Sequence, residues 1–483
     1  MNQSISKLSS ITFLGKLAGR GFEYGLIVLI GRALGAEALG RFTVAVVVLQ
    51  IAGFLAMLGL NTTVQRYVPI FRKQDDDERL AGLTLLGFVS PLLVGSLLAA
   101  ALYFALHRFH LFDNPGDSTV LYALLLGVPL FAMFRIGEAT TRGFKETKYA
   151  VYIRDFGQSG SAVLLVAVAV LLFGTIYSAA VAYLVSLGIG VLLSIVFLYR
   201  LGCFDRIRTA KLNLPETYRY SLPVAVGALS GEMLKYTDYL MLGVFVSNTE
   251  VGQYRAAFST AVLITFAMAS VSSIFPSVAS ELHHERETQK LDDLYTVVTK
   301  WITFLTAFAM LFFLVFSTEL MSVFGEGFRQ ASTVLVVALL GQAVGNFVGP
   351  AGYLLLMSDH ERVEMGNNVV GGALNVVLNF VLIREFGIMG AAMATSFSIG
   401  FQNLLRLLEV RYLLNIWPYS REYVRAVVPL TVALGVMLLG SQIGAPPALK
   451  LLLSGSIAGV VFVYMAINRA YTDRDQLLVA SIK

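Results

Sequence analysis

The sequence predicts an all-α integral membrane protein: about fourteen transmembrane helices, forming two parallel six-helix lobes around a central cavity, with two extra C-terminal helices. Three observations carry this. Over 483 residues, 57% are hydrophobic and only 14% charged, and the mean hydropathy is +0.73, so lipid must be the main solvent. The apolar segments run to about 20 residues without two-residue alternation, which selects helices over a barrel. The chain also resembles itself at a fixed offset.

Spans are expected near 9–31, 40–64, 81–106, 119–141, 150–173 and 176–199 in the first half. The second half continues with 218–246, 252–280, 296–317, 331–357, 364–384 and 387–414, followed by 424–442 and 447–467. Most of the 36 Lys and Arg fall in the N-terminus, the even-numbered connections and the C-terminus, which places both termini in the cytoplasm. The connection between spans six and seven holds Arg200, Arg206, Arg208, Lys211 and Arg219, whereas FGTIYS between spans five and six holds no basic residue.

The repeat is aligned by laying Ile30 on Leu242. IGRALGAEALGRF (Ile30 to Phe42) then overlays LGVFVSNTEVGQY (Leu242 to Tyr254), and in the same register TIYSAA from Thr175 overlays GIMGAA from Gly387. Six spans per copy give both copies the same orientation. The domains are therefore expected as 1–212 (spans one to six), 213–414 (spans seven to twelve) and 415–483 (spans thirteen and fourteen with the tail). Two parallel lobes flanking a cavity suit alternating access.

Several other readings are weakened. The single cysteine, Cys203, excludes an intramolecular disulfide, and the five histidines have no metal-ligating spacing, so no metal is expected. No basic stretch alternates with aromatics, and no nucleic-acid partner is expected. The N-terminus reads as uncleaved. Asp75, Asp76 and Asp77 read as a solvated turn and helix start, Asn61 as cytoplasmic, and His283 and His284 as part of a charged linker. No glycine-rich nucleotide loop is present, and the longest outer connection, HRFHLFDNPGDS, is about a dozen residues, too short for a catalytic domain. The expectation is not an enzyme; a membrane oligosaccharide polymerase or ligase is the weakest alternative.

The hairpin motif R-x-L-G-x-E-x-L-G-x-F, repeated as T-E-V-G-Q-Y and followed by a helix ending in Pro276, resembles the polysaccharide-exporting flippases of the MATE-like (MOP) superfamily, in particular Wzx-type oligosaccharide flippases. The resemblance covers nearly the whole chain. It implies movement of a polyprenyl-diphosphate-linked oligosaccharide from the cytoplasmic to the outer leaflet of the cell (inner) membrane, with polysaccharide assembly enzymes as candidate partners. Drug/cation antiporters and lipid II flippases belong to the same superfamily and stand as alternatives.

Charges inside the spans supply the candidate site. Lys16, Arg20 and Glu23 share a stripe of about 60° on span one, and Glu232, Lys235 and Asp238 a face of about 120° on span seven. A charge near the bilayer centre costs upwards of about 2.5 kcal/mol, so these stripes face protein or a water-filled cavity. The repeat register pairs Arg20 with Glu232 and Glu23 with Lys235, with signs exchanged, as a gate between lobes would require; structural ion pairs fixing helix register are the alternative. A diphosphate is expected to meet Arg20 as a bidentate partner and Lys16 and Lys235 as point charges. Arg255 adds a cation on span eight, and the resemblance favours Arg20 and Arg255, since the superfamily carries cavity arginines on its first and eighth spans. Cavity cations at least equal the carboxylates, which suits an anionic headgroup better than a cationic drug.

Glu23, Glu232 and Asp238 are candidates for gating or for H⁺ or Na⁺ coupling; no cofactor is expected. Asn368, Asn375 and Asn379 form a stripe about 40° wide on span eleven, read as interhelical hydrogen-bonding residues or as sugar contacts, with Gln342 and Asn346 on span ten as an extension. Arg135 and Glu138, near the inner end of span four, read as snorkelling or paired.

Overall fold

The computed structural model describes the backbone of residues 2–109, 115–272 and 274–475, and the side chains of residues 14–108, 119–227, 235–272, 274–472, 474 and 475. Among the described residues every regular element is a helix. Also among the described residues, ten helices are long and apolar enough to cross a membrane, or eleven if Thr119–Leu125 and Gly127–Gly143, bent by 42°, form one span. Two of the ten, Leu14–Ala56 with 43 residues and Glu361–Leu414 with 54, run to about 65 and 80 Å at 1.5 Å per residue. That is at least twice a hydrocarbon core of about 30 Å, and each breaks at a glycine: Gly35 (φ 87) and Gly387 (φ 56). The expected count of about fourteen takes the bent pair as one span, takes each of these two helices twice, and adds the 32-residue helix Leu214–Phe245.

Contacts divide the chain into two compact units, Met1–Gly252 and Gln253–Lys483. Inside each unit the repeat has physical consequences. Gly174 (φ 62) closes the helix Ser161–Phe173, and the Thr175 hydroxyl accepts from Ser178 N to start the next helix. Gly387, the repeat counterpart of Thr175, makes the corresponding break in the second unit. Beyond these turns Ala179, Ala180, Ala391 and Ala392 are all fully buried, each pair serving as a close-packing surface.

The matched hairpins explain two further glycines. In the first unit, a Cβ on Gly40 would overlap the carbonyl oxygen of Asn248, and one on Gly252 would overlap that of Ala36. Asn248 is the repeat counterpart of Ala36, and Gly252 that of Gly40, so the crossing is reciprocal. Gly40→Val and Gly252→Val are each expected to lower the thermal midpoint in detergent, at about 1–3 kcal/mol for overpacking; an unchanged midpoint for both would contradict the crossing.

Helix ends differ from expectation where proline and glycine intervene. Pro276 does not end a helix: it lies in the first turn of Phe275–His284, where its missing N–H costs nothing. The segment read as span two is interrupted at Leu58 (φ 48) and Gly59 (φ 77). Span ten is divided into Ser332–Phe347 and Ala351–Met357 by Gly349 (φ 71) and Pro350. Asp75 (φ 52) turns the chain, and Asp76 caps Arg79 N at 3.1 Å as the helix Asp77–Phe109 begins. Cys203 is buried, and burial pushes its thiol up to about 12, so it stays protonated and unreactive.

In the second unit one core cluster gathers Phe275, Tyr295, Val298, Ile302, Leu354, Leu407 and Val410. A second ties the two extra helices, Val427–Ser441 and Pro447–Ala470, to the helix Thr288–Val315 through Phe304, Ala433, Met437, Ala458 and Phe462. Phe308 stacks on Phe462 at 4.7 Å. Beneath this cluster lies Lys300, wholly buried. Its ammonium donates to Glu422 at 3.2 Å and Asp475 at 2.8 Å, while the Trp301 indole N–H donates to Asp475 at 2.9 Å.

Candidate substrate-binding site

The site in the first unit begins with two glycines one helical turn apart. A Cβ on Gly15 would overlap the Val151 side chain, and one on Gly19 would overlap the Asp155 carboxylate. The sequence GKLAG thus lets the first helix approach the segment 151–155 as closely as small-xxx-small motifs allow. Phe22 meets Phe156 edge to face at 6.1 Å, fixing the rotation of the first helix.

The segment it meets is a π-helix, Tyr152–Gly160. A wide π turn inside a span is a departure that concentrates at functional positions. Here it carries Arg154, Asp155 and Gln158. Asp155 is 8% exposed; Arg154 is 41% exposed at its side chain and lies 3.9 Å from the Glu23 carboxylate. Glu138, Asp155 and Tyr236 also lie within electrostatic reach of Arg154. Gln158 donates to the Ser186 hydroxyl at 3.4 Å.

Behind this group Glu138 is 2% exposed and accepts from Arg135 at 2.7 Å and from Arg142. The pairing expected for Arg135 and Glu138 is therefore present, with Arg142 as a further partner. Glu138→Leu leaves two arginines without their carboxylate and is expected to destabilise the unit by about 3–5 kcal/mol, read as a loss of thermal stability in detergent; an unchanged midpoint would show the pairs to be dispensable.

Lys16, Arg20 and Glu23 are exposed on the first helix. Charges on the exposed side of a membrane-spanning helix require water or polar ligand beside them. Together Lys16, Arg20, Arg135, Arg142 and Arg154 outnumber Glu23, Glu138 and Asp155, and the group is net cationic. Phosphate oxygens are the matching ligand, with Arg154 and Arg20 able to grip two oxygens each.

The remaining predicted residues are placed as follows. Lys235 is exposed, its ammonium 5.1 Å from the Tyr236 ring centre. Asp238 is 4% exposed and accepts from Tyr239 N at 3.0 Å. The Glu232 side chain lies outside the described residues, and with it the expected pairing to Arg20. Glu23 has Arg154 beside it, an ion pair within one unit that the sign-exchanged pattern had not anticipated.

In the second unit Arg255 is half-buried. Asn375 donates to the Thr395 hydroxyl at 3.1 Å, and Asn379 to the Asn375 backbone oxygen at 3.0 Å. Asn346 is buried and bridges Ile264 O and the Thr306 hydroxyl. Asn375 and Asn346 hold neighbouring helices together, whereas Asn379 bonds within its own helix. Asn368 is exposed and belongs to a larger network. Among the described residues no group of three His, Cys, Asp or Glu is placed to hold a metal.

Arg154 and Asp155 were missed in the sequence. The signal was available: YIRDFGQSG interrupts an apolar segment with charge, amide and glycine, the same kind of anomaly that marked Lys16, Arg20 and Glu23.

These elements make an all-helical membrane fold with a cationic cluster among its spans, and the fold is MATE-like. Over 95% of this chain and 98% of the other, the structure resembles the lipid II flippase MurJ in an inward closed conformation (TM-score 0.70, 16% identity). A multidrug resistance MATE family transporter of the MOP superfamily, inward-facing, gives a TM-score of 0.66 at 16% identity over 82% of this chain and 94% of that one; at these identities the likeness concerns the fold.

Residues 6–283 match the polysaccharide biosynthesis protein family, and the chain belongs to it. It is 28% identical over 411 residues to the probable low-salt glycan biosynthesis flippase Agl15 of Haloferax volcanii, covering 83% of this chain and 82% of that protein. It is 23% identical over 430 residues to stage V sporulation protein B of Bacillus subtilis, covering 82% and 81%.

Proposed function

We propose that the protein is a flippase that carries a polyprenyl-diphosphate-linked oligosaccharide from the cytoplasmic to the outer leaflet of the cell membrane by alternating access, for cell-surface polysaccharide assembly. The carrying observation is the net cationic cluster around Arg154, set among membrane-spanning helices where charge is costly. Family membership and the glycan biosynthesis flippase name of the Haloferax volcanii relative support the same cargo class. Lys16, Arg20 and Arg154 receive the diphosphate in the first unit, with Lys235 on the helix Leu214–Phe245; Arg255 supplies a cation in the second.

Transport rather than catalysis is the chain's role, and both termini face the cytoplasm. Glu23, Glu232 and Asp238 serve gating or H⁺ or Na⁺ coupling, since a carboxylate among cations changes its proton or ion occupancy when those cations move. Polysaccharide assembly enzymes are the partners that supply and consume the lipid-linked glycan.

Deleting the gene tests the cargo. The expected result is accumulation of lipid-linked oligosaccharide and loss of surface glycan, both restored by the wild-type gene. Intact surface glycan together with new sensitivity to cationic drugs would instead support an antiporter.

A further inference from the structure

Spans eleven and twelve carry, toward the ends that the proposed topology places at the cytoplasm, a polar network that the repeat does not require. Arg406 donates to both oxygens of the Glu364 carboxylate and to Asn368 Oδ1 at 3.0 Å. Gln402 Nε2 donates to Asn368 Oδ1 at 2.9 Å and to Asn367 O at 3.1 Å, and Asn367 Nδ2 donates to Glu409. Asn368 Nδ2 completes the ring by donating to Glu364 at 3.1 Å.

The first repeat packs the same helix pair differently. In the register that lays Ile30 on Leu242, Tyr152 corresponds to Glu364, Phe156 to Asn368 and Phe197 to Glu409. Within the first unit Phe197 stacks on Tyr149 at 4.5 Å and lies 6.2 Å from Tyr152, and Tyr152 lies 6.4 Å from Phe156. Aromatic packing thus fills the positions of Glu364, Asn368 and Glu409 in one copy. Replacing ion pairs by apolar packing is often neutral or stabilising, so stability alone does not explain the amides and charges of the other copy.

We infer that Asn368, Gln402 and Arg406 form a sugar-binding subsite that reads the glycan of the cargo. The inference rests on the flippase reading and assigns the oligosaccharide to this network. Its ionised members, Glu364, Glu409 and Arg406, sum to a negative charge, the wrong sign for a diphosphate. Its chemistry suits hydroxyls, which need donors and acceptors side by side. Asn368 is exposed while its amide is held on both edges by Glu364, Arg406 and Gln402, so it is presented in a fixed plane. Both Gln402 N–H groups are committed, leaving Oε1 as an acceptor. Glu364 lies in the first turn of the helix Glu361–Leu414 and Arg406 in its closing turns, so on the proposed topology the network sits on the side from which the cargo is loaded.

The test uses full-length protein in proteoliposomes with two probes: lipid-linked oligosaccharide extracted from the cells that make the protein, and the same lipid stripped to its bare polyprenyl diphosphate. Asn368→Leu and Gln402→Leu, singly and together, leave the Glu364–Arg406 pair in place, and their thermal midpoints are recorded alongside. The double variant is expected to flip the glycosylated lipid about tenfold more slowly, as the loss of about two hydrogen bonds implies, while the bare lipid moves at the wild-type rate. Equal slowing of both probes, or no slowing of either, would overturn the subsite and leave the flippase standing. Failure of wild type to flip either probe would overturn the flippase reading and the subsite with it.

Discussion

Arg154→Ala is expected to slow flipping of a polyprenyl-diphosphate oligosaccharide by at least about 30-fold, the equivalent of about 2 kcal/mol for an unmade charged contact. Arg154 stands on the π-helix between the exposed Glu23 and the buried Asp155 and Glu138, and it is partly open. A guanidinium so placed is oriented by its carboxylates and still has N–H groups to offer a phosphate. Arg154→Lys keeps the charge but loses the bidentate grip, and is expected to retain a measurable part of the rate. Arg20→Ala is expected to behave as Arg154→Ala does, since Arg20 offers the same fork from the exposed face of the first helix. The check is the initial flipping rate per folded protein; wild-type rates for both alanine variants would remove these arginines from the site.

Removing the Lys300 ammonium is expected to cost the second unit several kcal/mol of stability, on the order of the loss expected for Glu138→Leu in the first. Lys300→Met leaves Asp475, 1% exposed, and Glu422 without their cation in the second unit, and broken buried pairs of this kind cost about 3–5 kcal/mol. The extra C-terminal helices should detach first, because the Asp475 carboxylate also accepts from Thr472 N and from Trp301. Burial raises the Asp475 carboxyl, but the Lys300 ammonium and the hydrogen bonds from Thr472 and Trp301 outweigh it and hold it below its ordinary 3.8. A carboxyl lowered on folding contributes stability above its unfolded value and loses it as pH falls through the folded value. Protonation of Asp475 therefore weakens this latch as pH falls to about 3.8 and below, and Asp475→Asn should remove that part of the acid sensitivity. The thermal midpoint of purified protein, followed against pH, measures both effects; a Lys300→Met midpoint equal to wild type would contradict the latch.

Much of the architecture is legible in the sequence because lipid imposes it. Backbone satisfaction leaves helices as the solution for long apolar segments, and the hairpin motif at Ile30 and Leu242 marks the repeat by glycines whose close crossing the structure shows. Boundaries were less legible: Gly59, Gly349 and Pro350 interrupt helices inside apolar stretches, where hydropathy is blind to backbone torsion. Pro276 was read as a helix end because proline often is one, yet it begins a helix.

The site was half legible. Lys16, Arg20 and Glu23 announce themselves as charges in an apolar segment. Arg154 and Asp155 sit closer to a span's end, where they resemble boundary residues, and their importance depends on the π-helix and on Gly15 and Gly19 admitting the neighbouring helix. The polar network of Glu364, Asn368, Gln402 and Arg406 was visible only as an asparagine stripe. Gln402 and Arg406 lie far along the chain, beyond the break at Gly387, and that break is what brings them back beside the asparagines.

The most direct measurement of the central claim is flipping of lipid-linked oligosaccharide by purified protein in sealed proteoliposomes, followed by the loss of cytoplasmic-leaflet label with and without an imposed H⁺ or Na⁺ gradient. The predicted result is transfer of the labelled lipid to the opposite leaflet, abolished by combining Arg20→Ala with Arg154→Ala. Absence of transfer under every gradient, with gradient-driven uptake of a cationic drug by the same vesicles, would contradict it.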